Sequence, residues 1–293
     1  MIKSWIEAMR LRTLPVSVAG VIAGCGCAIM LDSFRIVPAI LCLTFAVLAQ
    51  IASNFANEYF DFKNGIDKKG REGFRRGVTE GEITPKSMKH ATFITLALAA
   101  LVGCAMLIYG PLWLIPVGIV IMIFALAYSA GPYPLSHHGL GDIAVIIFFG
   151  VVPVTLTCFL QTASWEGLGL VLATSVAVGF LAANVLVVNN YRDMEDDAAV
   201  NKRTTVVIFG RRVMSLVYLS AGVAAIFIMY PVWALLPRWA ISVPAAFIVL
   251  HILTWNKMKK AKGAELNPIL GKTALNLLLF AVMFLLVTFQ AFQ

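Results

Sequence analysis

Ten of the 15 carboxylates crowd into two short stretches of a chain that is otherwise sparing with charge. Glu58, Asp61, Asp67, Glu72, Glu80 and Glu82 follow one apolar run, and Asp193, Glu195, Asp196 and Asp197 follow another. Both clusters open on asparagine, with Asn54 and Asn57 in NFANEYFDFKNGID and Asn190 in NNYRDMEDDAAVNKRT. Residues three or four apart share a helix face. Asn54, Asn57 and Asp61 therefore form one polar stripe, and Asn190, Asp193 and Asp197 form a second with the same spacing. Carboxylate and amide oxygens are hard ligands. Two such stripes facing each other suit Mg²⁺, which keeps octahedral oxygen coordination and commonly shares it with substrate phosphates. One isolated DxxxD stretch would read more simply as a solvated helix end, but two matched clusters favour a cation site.

Basic residues are interleaved with the acids. Lys63, Lys68, Lys69, Arg71, Arg75 and Arg76 accompany the first cluster, and Arg192, Lys202 and Arg203 surround the second. A divalent cation together with Lys and Arg is a phosphate-binding composition. The competing explanation is topological, because cytoplasmic loops of membrane proteins are rich in Lys and Arg without binding anything. The connection over 61–88 is long for a compact bundle, which favours a functional loop or lid.

The elements that must position these clusters are membrane helices. Of 293 residues, 60% are hydrophobic and only 13% charged, against roughly a quarter charged in soluble domains. The mean hydropathy is +0.87. Apolar stretches near the ~20 residues needed to cross a bilayer fall at about 14–31, 37–57, 90–109, 112–130, 142–161, 168–189, 213–231, 235–254 and 270–290. The expected fold is an all-α polytopic membrane protein, a bundle of nine transmembrane helices in a single domain over 1–293. The pair near 213–254 is interrupted by PVWALLPRW. The N-terminal MIKSWIEAMRLR lacks a signal-peptide pattern, so the first span is expected to be retained.

Every Lys and Arg except Arg35 and Arg238 falls on one side of this topology. The positive-inside rule places that side, with the N-terminus and the Asp-rich loops near 61–88 and 191–212, in the cytoplasm. The expected setting is a bacterial-type cytoplasmic (inner) membrane. The net charge of +8 is explained by topology, with anionic lipid and substrate as beneficiaries and no need of nucleic acid. Cys25, Cys27, Cys42, Cys104 and Cys158 all lie in apolar runs and read as small buried hydrophobes.

These motifs resemble the two Asp-rich motifs of UbiA-type intramembrane prenyltransferases. Within that family they are most similar to the branch that prenylates 1,4-dihydroxy-2-naphthoate in menaquinone synthesis. The resemblance extends through RLRTLP (10–15), RRGVTEGEIT (75–84), YSAGPYPLSHHGLGDIAVIIFFG (128–150) and NPILGKTALNLLLF (267–280), and so covers the whole chain. It implies a nine-helix fold and Mg²⁺ with diphosphate held by Asn57, Asp61, Asp67, Asn190, Asp193 and Asp197. Two ions are expected, with Mn²⁺ as a substitute. The pattern departs from the superfamily at two points. NxxxDxxxD would place its last Asp where Gly65 stands, so Asp67 joins the face only if Gly65 unwinds the helix. The lysine that follows Tyr128 in benzoate-accepting relatives is missing, which favours the naphthoate branch.

The implied reaction ionises a polyprenyl diphosphate to an allylic cation. The electron-rich 1,4-dihydroxy-2-naphthoate attacks through the carbon bearing its carboxylate, and loss of CO₂ and a proton gives demethylmenaquinone. Asp61, Asp193, Asp197 and Tyr128 are the expected catalytic residues, Tyr128 offering its ring to the cation. Lys63, Arg71, Arg75, Lys202 and Arg203 are candidates for diphosphate. The anionic acceptor needs a cationic contact, for which Arg10 and Arg12 are candidates, although both are also ordinary flanking charges. Ile2, Trp5, Ile6 and Met9 make an apolar stripe suited to a surface helix over about 2–11. His137 and His138 read as solvated, and Gly20 and Gly24 as a close-packing GxxxG. The alternative within the family is a related prenyltransferase with another aromatic acceptor, and the rival class is a secondary transporter, which would keep ionisable residues near mid-membrane. No Asp, Glu, Lys or Arg lies near the centre of any expected span.

Overall fold

The computed structural model describes residues 2–67, 69, 70, 73 and 75–292, and among them there is no strand. A short helix, α1 (Ile2–Met9), leads into α2 (Leu14–Met30), α3 (Ile36–Lys63), α4 (Pro85–Met106) and α5 (Leu114–Ala127). The second half comprises α6 (Gly141–Thr162), α7 (Leu168–Arg192), the short α8 (Met194–Ala199), α9 (Thr205–Ile228), a single turn α10 (Tyr230–Trp233), α11 (Ser242–Lys260) and α12 (Leu266–Phe292).

Seven of these helices are long and apolar enough to cross a membrane, and α1 with α2, bent by 49°, makes an eighth span if counted as one. The chain is therefore a multi-pass membrane protein. All nine expected stretches contain an apolar helix, but α5 has only 14 residues, short of a straight crossing at 1.5 Å per residue. The boundaries shift most in the second half. α9 starts at Thr205 and not near 213, capped by the Thr204 hydroxyl, and its backbone breaks at Gly210 with φ +77°. PVWALLPRW does interrupt the chain there, forming α10 and a 3₁₀ turn at Arg238–Ile241 before α11 begins.

α7 is the most enclosed spanning helix. It contacts α9, α6, α12 and α2, and Ala177, Val178, Leu181, Ala182 and Val188 along it are buried. α2 packs against α12, α6 and α3. Gly20 and Gly24 do bring helices close, and the partner is α6. A methyl group on Gly20 would lie 2.7 Å from the Phe149 carbonyl oxygen, and one on Gly24 2.7 Å from that of Val154. The local reason is Pro153, which has no N–H to bond the carbonyl four residues back. The helix widens there into a π turn over Ile146–Val151, and the freed Phe149 carbonyl faces Gly20. Cys25, Cys27, Cys42 and Cys158 are buried as expected, whereas Cys104 is exposed.

α1 does not use its whole apolar stripe for packing. Ile2 and Ile6 point outward while Ser4 and Ala8 are buried. Ala8 joins Phe55, Val78, Ile83 and Met88 in a small separate core that ties α1, α3 and α4 to the connection after α3. The Glu58 carboxylate accepts the Val78 N–H at 3.0 Å, Ser4 donates to Glu82 at 2.6 Å, and Arg75 pairs with Glu82. The described end of this connection is thus docked over one end of the bundle.

Candidate active site

The two motifs are set by how their helices end. α3 continues through Asn54, Asn57 and Asp61 to Lys63. Gly65 then adopts φ +69°, and the chain folds back so that the N–H groups of Ile66 and Asp67 reach the Asp61 carbonyl at 2.9 and 3.4 Å. Glycine supplies the left-handed turn without the penalty of a Cβ. Asp67, which an unbroken helix would carry off the face, is returned to the site and buried. The second motif behaves differently. α7 ends at Arg192, Asp193 leaves the helix at φ −90°, ψ 7°, and Asp197 belongs to α8. Its three residues share a spacing but not one helix.

Each motif acid is matched by a cation or amide from this chain. Asp61 is fully buried. Its Oδ2 accepts from the Asn57 amide at 2.9 Å, and His137 Nε2 stands 3.7 Å from Oδ1. Asn57 also donates to the Ser129 hydroxyl at 2.9 Å, and its own oxygen accepts from Arg10. Asp67 faces Arg76 at 3.2 Å and Asp197 faces Lys202 at 3.4 Å. Arg192 donates to Asp193 at 2.6 and 2.9 Å, to Asn189 at 2.9 Å and to Asn267 at 2.8 Å.

These groups surround a polar cavity of about 150 Å³, whose lining includes Arg10, Asn57, Arg76, Asn190, Asp193 and Lys202. Gln50, Ser53, Tyr128, Val145 and Phe149 line both it and a second cavity of about 350 Å³. The larger cavity runs between α2, α3, α5 and α6 and is walled almost wholly by apolar residues, Phe45, Met122, Phe124 and Phe148 among them. A charged chamber therefore opens into an oily groove, with Tyr128 at the junction.

Among the expected site residues, Asn57, Asn190, Asp193, Tyr128, Arg10 and Lys202 line the polar cavity. Asp61, Asp67 and Asp197 lie just behind its wall, buried. Lys63, Arg12 and Arg203 are exposed, and Arg75 is drawn to Glu82 and Glu7. Arg71 lies outside the described residues. Arg76 and Arg192, named among the interleaved basic residues but not among the diphosphate candidates, hold motif acids and line the cavity, and His137, read as solvated, reaches Asp61. His137 sits in the turn after Tyr128, and the Arg203 N–H bonds its carbonyl at 3.0 Å. No local pattern in the sequence marks that contact.

The donor set suits a hard divalent cation. Asp61 Oδ1 is buried without a hydrogen-bond partner, and the surrounding oxygens are carboxylates and amides. Among the described residues no three His, Cys, Asp or Glu groups converge on one point. Mg²⁺ needs no such cluster, since one or two carboxylates commonly share the ion with water and substrate phosphate.

The model of the UbiA prenyltransferase family matches residues 17–276, and the chain belongs to that family. It is 34% identical over 279 residues to the 1,4-dihydroxy-2-naphthoate octaprenyltransferase of Mycobacterium tuberculosis, covering 95% of this chain and 94% of the relative. It is 32% identical over 298 residues to the protein of the same name in Escherichia coli, covering 97% and 94%. A UbiA homolog from Archaeoglobus fulgidus, solved with GPP and Mg²⁺, shares the fold with a TM-score of 0.72 at 18% identity, over 98% of this chain and 99% of the other.

Proposed function

We propose that the protein transfers a polyprenyl group from polyprenyl diphosphate to 1,4-dihydroxy-2-naphthoate, releasing diphosphate and CO₂, in menaquinone biosynthesis. The observation that carries this reading is the junction at Tyr128 of a cation-rich polar chamber and an apolar groove. A diphosphate bearing a hydrocarbon tail needs both at once. Relatives that carry the naphthoate name over nearly the whole chain supply the acceptor.

In this mechanism Arg76, Arg192 and Lys202 bind the diphosphate oxygens, and the apolar groove holds the tail and excludes water from the developing cation. Asn57 and Asp61 on one side, and Asn190 and Asp193 on the other, would hold Mg²⁺, with Asp67 and Asp197 behind them. Bound there, the ion supplies Lewis-acid stabilisation of the departing diphosphate. Tyr128 presents its ring at the point where head and tail meet. Arg10 orients the acceptor carboxylate. The acceptor carbon bearing that carboxylate forms the new C–C bond, and CO₂ leaves with its bonding pair returned to the ring. The balanced product is the quinol, and a separate oxidant is required for the quinone.

The bundle would cross the membrane nine times, with α5 as a short ninth span. The Asp-rich end would face the cytoplasm of a bacterial-type inner membrane, on the segregation of Lys and Arg to that side. The transporter reading has no observation in its favour. The decisive test is competition between 1,4-dihydroxy-2-naphthoate and 4-hydroxybenzoate for one prenyl diphosphate. The larger bicyclic ring should bind about 1–2 kcal/mol more strongly at about 25 cal/mol per Å², so kcat/KM should favour it about tenfold or more. Equal use of the benzoate would refute the assigned acceptor.

A further inference from the structure

Asp142 is the acid of the polar cavity that lies outside the two Asp-rich motifs. It lies in the first turn of α6, and its Oδ2 accepts from the Thr205 hydroxyl of α9 at 2.6 Å. Its Oδ1 is buried and has no hydrogen-bond partner. Among the described residues no ion pair includes it, whereas Asp193, the cavity's other acid, is held by Arg192. The cavity's cations are engaged elsewhere, Arg10 with Asn57, Arg76 with Asp67 and Lys202 with Asp197. The neighbouring Gly141 closes against Tyr128, since a methyl group added there would sit 3.4 Å from the phenol oxygen. Asp142 therefore stands beside the junction of the two cavities. A carboxylate oxygen without a donor in such a place seeks a proton donor.

A purely structural role, fixing α6 to α9 through Thr205 with the charge favoured at a helix N-terminus, accounts for one oxygen and leaves the other unexplained. We propose that Asp142 is the catalytic base that takes, and later returns, the proton of the acceptor hydroxyl next to the carboxylate-bearing carbon. This rests on the acceptor assigned under the proposed function. As the carboxylate Oδ1 accepts the hydroxyl proton, the oxygen's electrons move into the ring. The adjacent carbon forms its bond to the prenyl carbon, and the prenyl C–O bond breaks with its pair leaving on diphosphate. The product of this step is a β-keto carboxylate, the class of acid that loses CO₂ readily. The pair released from the C–CO₂ bond re-forms the aromatic ring as a naphtholate oxygen, which recovers the proton from Asp142. No oxidant is consumed and the base is regenerated.

The test uses full-length protein in phospholipid vesicles with Mg²⁺, farnesyl diphosphate and 1,4-dihydroxy-2-naphthoate, measuring both prenylated product and the farnesol formed when water captures the cation. Asp142→Asn keeps an oxygen for Thr205. It should lower kcat for product by about 10²–10³-fold, raise the farnesol share, and leave KM for farnesyl diphosphate within about threefold. Asp142→Glu should restore part of the rate. Should Asp142→Asn fail to fold, Thr205→Val, which frees the carboxylate from its anchor, should shift the partition toward farnesol in the same direction. An unchanged kcat, or a fall in kcat with an unchanged farnesol share, overturns the proposal. If wild-type protein prenylates no dihydroxynaphthoate while using another aromatic acceptor, the assigned function itself fails, and this inference fails with it.

Discussion

The two Asp motifs share a spacing and diverge in structure, and the divergence arises in the residues just beyond each helix end. The first stays on an intact helix to Lys63, then uses Gly65 to fold Asp67 back beneath Asp61. Asp61 is steadied by the Asn57 amide one turn earlier and faced by His137 from the turn after α5, and Asp67 is faced by Arg76 from the connection after α3. The second breaks its helix at Asp193, and the brace there is the adjacent residue, Arg192, which also binds Asn189 and Asn267. The first motif folds back to meet its cation, and the second carries one in the residue beside its first acid.

The largest expected effect tests what the two share. Asp61→Asn and Asp193→Asn should each reduce turnover by at least 10³-fold with folded protein still in the membrane, because a ligand charge is removed from a site asked for several kcal/mol of leaving-group stabilisation. Excess chelator should do the same to the wild type. Full activity in chelator would refute a shared metal site.

The next effect separates the motifs. Arg192 and Asp193 are both buried, with side chains 2% and 3% exposed, so Arg192→Ala removes the cation beside a buried carboxylate, at a cost of about 3 kcal/mol or more. The loss of Tm should be largest in chelator and partly reversed by Mg²⁺. Arg76→Ala in the first motif should show a smaller loss. Equal losses would mean that the motifs are braced alike.

Among the cations, Lys202→Ala should lower kcat/KM by about 10- to 100-fold, in line with the roughly 1.5–3 kcal/mol of a hydrogen bond to a charged group. Its exposed neighbour changed as Arg203→Ala should have little effect. Arg10→Ala should raise the acceptor KM more than that of the prenyl diphosphate, and Arg12→Ala neither. A phenotype at Arg203 or Arg12 matching that of its partner would show that lining the cavity is not the criterion.

These pairs also mark where the sequence stops being informative. Hydropathy and charge segregation reveal the helices because a bilayer imposes one length and one solvent on every span. The π turn before Pro153 and the break at Gly210 escape that pattern because they depend on which helix lies opposite. Within the site, Asn57 and Asp61 are legible because neighbours on one helix face need no knowledge of the fold, and Asn190 and Asp193 because Asp193 only just leaves α7. Which of many basic residues reaches an acid depends on how the chain turns beyond each helix end. Lys202 and Arg203 are adjacent in sequence, yet one is buried against Asp197 and the other exposed. His137 reads as solvated in the sequence because nothing local links a turn after α5 to the end of α3.

The smallest effect, and the sharpest probe of how the first motif is made, is at Gly65. A Cβ there would meet nothing within 4 Å, so space does not require glycine. The backbone does, because at φ +69° a side chain costs about 1 kcal/mol or somewhat more. Gly65→Ala should thus act through conformation alone. It should weaken the fold-back that brings Asp67 to Arg76, while Asp61, one turn earlier on intact α3, stays in place. The expected result is a severalfold rise in the Mg²⁺ concentration needed for half-maximal activity, with kcat at saturating Mg²⁺ little changed. Gly65→Asn, a residue that tolerates the left-handed region better, should recover much of the loss. If Ala and Asn behave alike, or if saturating Mg²⁺ fails to restore kcat, Asp67 does not depend on this turn, and the two motifs differ less than their helix ends imply.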